Sequence, residues 1–441
     1  MQASGSKFRV AICGGGIGGL CFAAALSRYP EIKIDVYEAA QSFKEVGAGI
    51  MVWGRTWQVL TLLGLERALR DIAGLESGSS EDPDFGFDFR RSDTGGEEGH
   101  RIHLLRLPCP GHLFHRAHFL QAFVDVLPEG SAHLGKRLES YHQANFLSPI
   151  ELNFTDGSSA ACDVLVGADG IRSVVRRWMF NDLAKTHGRD MLNFIQPFFS
   201  GTVIYRSLVP AESLRDRDGQ MHRARREATM YCGLNKHIVC YPVARGTLVN
   251  FVGMATIPEA EGSPYTKPWV SESSREEVLA CFQNWEPEAE ELVKLVQKPL
   301  KWAVHQLHPL PTYIDRRVAL LGDAAHAMTP HQGAGAGQAI EDAFILAGLL
   351  GDPSVTKNNL TDALEAYNHV RVPFANKIIG TSRHAGAMYE LRSAHGDDYS
   401  TLAPAIQNQW DWVDGEDVLA QLERALKWMK ERGVAAVKAS L

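Results

Sequence analysis

The sequence predicts an α/β protein: a Rossmann-type, doubly wound parallel sheet, interrupted by an inserted antiparallel sheet and closed by a helical C-terminus. Three observations lead there. A short β run, "KFRVAIC", precedes the turn "GGGIGG", the helix-forming "LCFAAALSRY" and a second β run, "KIDVYEAA", which together make a βαβ unit. From 197 to 256 the β runs "FFSGTVIYRSLV", "EATMYCGL", "HIVCYPVA" and "GTLVNFVGMA" follow one another across short polar turns, as in an antiparallel sheet. Then "RRVALLGDAA" returns to a buried-strand pattern, and from 360 onward the periodicity is helical, including "EDVLAQLERALKWMKER".

The connecting segments fit this outline. Residues 55–73 carry apolar residues at helical spacing, and 75–101, rich in Gly, Ser, Asp and Glu, read as an exposed hairpin or excursion. "RAHFLQAFVDVLPEG" (116–130) is a helix closed by Pro and Gly, and "DVLVGADGIRSVVRRWMF" (163–180) is again strand, turn and helix. "SREEVLACFQNW" opens a helix on a Ser-x-x-Glu capping box. The expected division is a nucleotide-binding domain over 1–78 and 102–190, an antiparallel-sheet domain over 191–305, a return to the first domain over 306–375, and C-terminal helices over 376–441.

Composition narrows the function classes. In 441 residues, 45% are hydrophobic and 22% charged, ordinary globular values. The net charge of −7, without a long basic run, argues against nucleic acid or an anionic membrane as partner. Seven scattered cysteines without a CxxC make a disulfide framework or zinc ribbon a poor reading. "MQASGSKFRV" lacks the blocks of a signal peptide, and no stretch reaches the ~18 apolar residues of a membrane span. The expectation is a soluble cytoplasmic protein without a membrane segment, as monomer or homodimer. His112, His115 and His118 straddle a loop–helix junction with no acidic ligand nearby, so no metal is expected.

The chemistry is carried by three glycine turns. Gly14, Gly16 and Gly19 form GxGxxG between a strand and a helix: the first for the tight turn, the second for approach of a pyrophosphate, the third for close helix packing. Glu38, at the end of the next strand, stands where a carboxylate accepts hydrogen bonds from an adenosine ribose. The second turn is "GADGIRS", with Asp169 and Gly170; the third is "LGDAAHAMTPHQGAGAG" (321–337), with Asp323.

GxGxxG, then Asp-Gly, then Gly-Asp, in that order, resembles the single-component, class A FAD-dependent monooxygenases of the salicylate hydroxylase and para-hydroxybenzoate hydroxylase type, over most of residues 8–380. The resemblance implies FAD, NADPH or NADH as transient electron donor in a cleft, O2, and a small phenolic substrate hydroxylated through a flavin C4a-hydroperoxide. It places Asp323 and Arg116 on the ribityl and phosphate side of FAD, Asp169 and Gly170 at a motif linked to both FAD and the donor, and "EVGAGIMV" beside the flavin ring with Gly49 nearest. The run "GAGAG" would turn the N-terminus of the following helix, with Gly335 and Ala336, toward the flavin, glycines 333, 335 and 337 leaving room for a flat ring.

Within that family, fungal polyketide hydroxylases that dearomatise resorcinyl aldehydes carry an aromatic-Arg pair and a Tyr-Pro-Val. The match here is Arg206 and Tyr241, which by resemblance position the substrate and stabilise its phenolate, and which favour dearomatising hydroxylation of a resorcinyl benzaldehyde polyketide in fungal secondary metabolism. Salicylate, hydroxylated with loss of CO2 to catechol, is the competing substrate; a surface strand arginine and a core tyrosine is the bland alternative. His331, after Pro330, reads as a general base or proton shuttle, or as a ring packed on the flavin, whereas His326 reads as structural. A flavoprotein oxidase or dehydrogenase, or a non-catalytic flavin-binding protein, is the alternative of another class.

Overall fold

The computed structural model describes residues 6–43, 49–73, 86–107, 112–145, 148–215, 219, 221–243, 246–413 and 415–439. The N-terminal unit is β1 (Phe8–Cys13), α1 (Ile17–Leu26) and β2 (Ile32–Tyr37). After β3 (Gly49–Val52), the helical run at 55–73 forms two helices, α2 (Gly54–Leu62) and α3 (Glu66–Ala73), because Gly64 at φ +77° ends the first. There follow β4 (Gly86–Arg91), β5 (His100–Arg106), β6 (His112–His115), α4 (Arg116–Val124) and β7 (Ala132–His133). A three-stranded sheet of β8 (Leu138–His142), β9 (Ile150–Phe154) and β10 (Ser159–Cys162) precedes β11 (Val164–Gly167) and α5 (Val174–His187).

The large sheet uses β12 (Phe198–Pro210), β13 (Ala228–Gly233), β14 (Lys236–Val243), β15 (Leu248–Thr256) and β16 (Val270–Glu272), then α6 (Arg275–Cys281), α7 (Pro287–Lys294) and β17 (Leu300–Gln306). At the start of α6 the Ser274 hydroxyl accepts from the Glu277 N–H, but the Glu277 carboxylate turns to Lys301 and Tyr205 instead of completing the box. The chain ends through β18 (Ile314–Asp315), β19 (Val318–Leu320), α8 (Asp323–His326), α9 (Gly335–Leu350), α10 (Leu360–Tyr389), α11 (Tyr399–Asn408) and α12 (Val418–Ala439). Among the described residues no helix is long and apolar enough to cross a membrane.

Two sheets organise these elements. One has the order β18-β19-β11-β1-β2-β7, parallel except for β18. α1 is buried along nearly its whole length, as a helix apolar on every side must be, and packs against α9. The second has the order β16-β17-β12-β15-β14-β13-β4-β5 and is antiparallel except where β4 meets β13.

Of the segment 75–101, residues 75–85 lie outside the described residues; the rest forms the expected hairpin, β4–β5, though in a different setting. It is no exposed excursion but the edge of the large sheet, with Phe87 and Phe89 buried on one face. On the other face Asp88 takes bidentate bonds from Arg101 and a third from Arg223, and Arg90 pairs with buried Glu286. These paired charges lend the segment the composition of a loop.

Register decides which residues of the large sheet share a face. Arg206 opposes Val252, Val252 opposes Val239, Val239 opposes Met230, and Met230 lies beside Phe89. Side chains alternate along a strand, so this row shares its face with Ile204, Met254, His237 and Tyr241. The alternate residues Tyr205, Phe251, Ile238 and Tyr231 turn the other way and pack with Phe282, Trp285 and Leu292.

A buried cluster of charges lies beneath the Gly-Asp turn and ties α2, α9 and α10 together. Arg371 on α10, fully buried, bonds Asp342 Oδ1 at 2.7 Å and Glu341 Oε2 at 3.1 Å on α9. Asp342 also accepts from the Gly322 N–H and the His326 ring, and Glu341 from Arg55 on α2. Burial alone would raise the Asp342 carboxyl; His326 and Arg371 more than offset it and hold it down at about 2. Its contribution is therefore complete above the ordinary carboxyl value near 4 and lost as pH falls through about 2. Arg371→Leu removes the fully buried cation that both carboxylates share, so chemical denaturation at neutral pH is expected to record a loss of about 3–5 kcal/mol. A loss under 1 kcal/mol would contradict this account of the cluster.

Candidate active site

A cavity of about 650 Å³ lies between the first sheet's glycine turns and the large sheet's apolar face. One wall holds Gly16, Gly49, Arg116, Gly170, Asp323, Gly335 and Ala336, and the other Ile204, Arg206, His237, Val239, Tyr241 and Val252, so residues from opposite ends of the sequence meet here.

The first wall has the shape a dinucleotide needs. Gly14 has φ +112°, and a Cβ there would stand 2.2 Å from the Ala168 carbonyl oxygen. At Gly19 a Cβ would meet the Gly14 carbonyl oxygen at 2.0 Å, so this glycine sets the approach of α1 to the turn. At Gly16, by contrast, a Cβ would meet nothing within 4 Å: its outer side faces open cavity at the N-terminus of α1. Gly335 is equally open at the first turn of α9. The Glu38 carboxylate accepts from the Gly15 and Ala40 N–H groups, both at 2.7 Å, and keeps lone pairs for ribose hydroxyls. The donor set, two open helix N-termini, a cation at Arg116 and the Glu38 carboxylate at the end of β2, fits FAD.

Two expectations on this wall change. Gly337 leaves no room for a ring: a Cβ there would lie 2.6 Å from Thr56 Oγ1, so this glycine serves the packing of α2 on α9. Asp169 directs its carboxylate to the start of α5, accepting from the Ser173 hydroxyl at 2.5 Å and the Val174 and Val175 N–H groups. It organises the turn that brings Gly170 to the cavity. Of "EVGAGIMV", residues 45–48 lie outside the described residues, and Gly49 lines the cavity. Burial lowers the Arg116 pKa; Asp323, across the turn, opposes that and Arg206 adds to it. His326 is structural, bonded to Asp342. His112 packs its ring on Trp57 at 4.2 Å, and the His115 side chain lies outside the described residues.

The second wall brings Arg206 and Tyr241 together on one face. The Nε of Arg206 is buried without a hydrogen-bond partner among the described residues. Burial lowers its pKa, and the neighbouring Tyr241 opposes the shift. Burial raises the Tyr241 hydroxyl, with Arg206 working against it. Apolar Phe87, Phe89, Met230 and Met254 complete the wall.

His331 joins this wall with a neighbour the sequence reading missed. Its ring lies 5.3 Å from that of His237, and burial together with His237 pushes its pKa down to about 3, so it is neutral at physiological pH. His237 Nδ1 lies 3.2 Å from Oε1 of Glu390, a buried carboxylate at the end of α10. In the sequence the only sign of His237 is its alternation with Val239 and Tyr241 along β14; nothing local ties it to a glutamate 153 residues away.

The geometry agrees with known proteins. The chain is 37% identical to a salicylate hydroxylase of Pseudomonas putida over 433 residues, covering 95% of this chain and 96% of that one. It is 35% identical to a 6-methylsalicylate 1-monooxygenase of Aspergillus terreus, covering 94% and 91%. It belongs to the salicylate hydroxylase-like, class A FAD-dependent monooxygenases. Residues 266–382 match the family described as an FAD binding domain. A solved salicylate hydroxylase substrate complex superposes with a TM-score of 0.83 at 31% identity, covering 95% of this chain and 98% of that one. The protein is thus an FAD-dependent aromatic hydroxylase with the fold the sequence predicted.

The contrast between the open Gly16 and the packed Gly14 gives a clean test. Gly16→Ala adds a methyl that meets no protein atom but occupies the cofactor's path, so the protein should melt within about 1 kcal/mol of wild type yet retain at least about tenfold less FAD after gel filtration. Gly14→Ala collides with Ala168 and should lose both stability and flavin. Full flavin retention by Gly16→Ala, read from absorbance, would refute this placement of the pyrophosphate.

Proposed function

We propose that the protein hydroxylates a phenolic ring bearing an ionised ortho substituent, a salicylate-type acid, with CO2 leaving as the hydroxyl enters. The observation that carries this reading is Arg206: a half-buried guanidinium on the cavity face whose Nε is shielded from solvent and unbonded, with no acidic partner among the described residues and Tyr241 beside it. A buried cation without a counter-charge is costly unless the ligand brings one, and a carboxylate brings it at neutral pH. The relatives named as salicylate hydroxylase and 6-methylsalicylate 1-monooxygenase point the same way.

In this reading Arg206 binds the carboxylate and Tyr241 donates a hydrogen bond that fixes the ring's rotation. His237, on the same face and tied to Glu390, accepts the phenol proton, which makes the ring electron-rich enough for attack. His331, neutral because burial holds its pKa at about 3, serves as wall and not as base. Phe87, Phe89, Val239, Val252 and Met254 keep water away. FAD, held by Gly16, Arg116, Asp323 and the start of α9, supplies the activated oxygen, and NAD(P)H supplies the electrons. A second cavity of about 260 Å³, where the Arg172 guanidinium lies 3.9 Å over Trp269 next to Arg177, suits the donor's phosphates.

A resorcinyl benzaldehyde, dearomatised by the same step, is the second reading, favoured by Tyr241 standing next to Arg206, the pairing that would hold a phenolate in place of a carboxylate. Turnover of the purified holoenzyme with salicylate, 6-methylsalicylate and 2,4-dihydroxy-6-methylbenzaldehyde, read by NAD(P)H oxidation and product mass, separates the two. Substrate-stimulated oxidation and a catechol with release of CO2 are expected; a dienone from the aldehyde alone would install the second reading. NAD(P)H oxidation indifferent to every phenol would remove both. Arg206→Met is expected to raise KM for the acid by about 10- to 100-fold with a smaller change in kcat.

A further inference from the structure

Glu390 lies outside the segment that matches the FAD-binding family description, at the C-terminal end of α10. It is a wholly buried carboxylate with every oxygen engaged. Oε1 takes the Thr256 hydroxyl at 2.9 Å and faces His237 Nδ1 at 3.2 Å; Oε2 takes Arg392 Nε at 3.0 Å and Nη2 at 2.6 Å. Arg392 is half-buried, so it ties the carboxylate to the protein surface. An ionised carboxylate accepts and does not donate, so the ring nitrogen facing it must carry the proton. Nδ1–H of His237 is thereby fixed, and Nε2 becomes the lone-pair nitrogen of a ring on the cavity face.

We infer that Glu390 is a positioning residue for the hydroxylation: with Arg392 and Thr256 it sets the tautomer of His237 and stabilises the charge that ring acquires on taking the substrate's proton. This rests on the reading of the cavity as a phenol site. The step balances simply: the phenol O–H breaks, an N–H forms at His237 Nε2, the phenolate remains beside Arg206, and the imidazolium faces Glu390.

The surroundings of His237 make a carboxylate necessary. His331 lies against its ring, and Tyr389 of α10 stands edge-on at 5.6 Å. From the sheet it faces Cys232, Met254 and, two and four residues along its own strand, Val239 and Tyr241, with Arg206 on the strand beyond. Glu390 is the carboxylate that faces this ring, and Arg392 holds its other oxygen. Burial alone would raise the Glu390 carboxyl, but His237, His331 and Arg392 outweigh that and hold it at about 2, so it stays ionised throughout the working range.

The test uses FAD-loaded enzyme without NAD(P)H and 5-nitrosalicylate as the probe, since its phenolate absorbs at longer wavelength than its phenol. Difference spectra against pH give the midpoint at which the bound probe ionises. Glu390→Gln preserves shape and an acceptor oxygen but removes the charge. It should raise that midpoint by about one pH unit or more, with the affinity for the ionised probe, held by Arg206, within about threefold of wild type. An unchanged midpoint with only a lowered melting temperature would make Glu390 a strut and overturn the inference. Should Glu390→Gln fail to fold, Arg392→Gln decides. It frees the second carboxylate oxygen and should lower the midpoint by about 0.3 unit or more, and no shift counts against the inference. His237→Asn is the control for the underlying reading. If it leaves the midpoint in place, His237 is not the acceptor and the inference falls with it; if the probe binds no variant and not the wild type, the phenol site itself is misassigned.

Discussion

Everything in the cavity is referred to one buried set of charges. Arg371 neutralises Glu341 and Asp342 at the centre of α9, and those two carboxylates hold the Gly322 turn, His326 and Arg55. The arrangement fixes the helix whose open N-terminus faces the flavin, the Gly-Asp turn that presents Asp323, and the long helix α10 whose far end carries Glu390. Charges so deep gain little net energy over apolar packing, but they tolerate only one arrangement, because any slip leaves an ion without its partner. The cluster is therefore better understood as a device for register than as a store of stability.

The chamber needs a second constraint, the strand register of the large sheet. Because side chains alternate, one face can be given wholly to apolar walls with Arg206, His237 and Tyr241 set among them, while the other packs against α6 and α7. A shift of one residue would turn the guanidinium into the packed core and the core tyrosines into the cavity. The β4–β5 hairpin extends that apolar face, and its buried ion pairs with Arg223 and Glu286 lock it in place.

Electrostatics then divides the chamber by role. Toward the cofactor stand the N-termini of α1 and α9 with Arg116, partial and full positive charge suited to phosphates. On the large-sheet side stands Arg206, with the His237–Glu390 pair on the same face. Under the proposed function, selectivity for an acidic phenol follows from that division: an uncharged ring would leave the half-buried Arg206 without a counter-charge, a penalty that falls on the wrong substrate more than on the right one.

The sequence by itself determined what local chemistry can specify. GxGxxG between strand and helix, the acid Glu38, the Gly-Asp turn and the alternating β runs each carry their reason within a few residues, and each stands in the structure where the pattern put it. What only the tertiary structure decided were pairings between distant segments: Arg371 with Asp342, Phe89 with Met230, His237 with Glu390. It also reassigned Gly337 to helix packing and Asp169 to capping, because whether a glycine or a carboxylate faces a ligand depends on what the fold brings against its other side. A side chain's type is written in the sequence, but its partner, and hence its charge state and its role, is set by long-range contacts that no local pattern encodes.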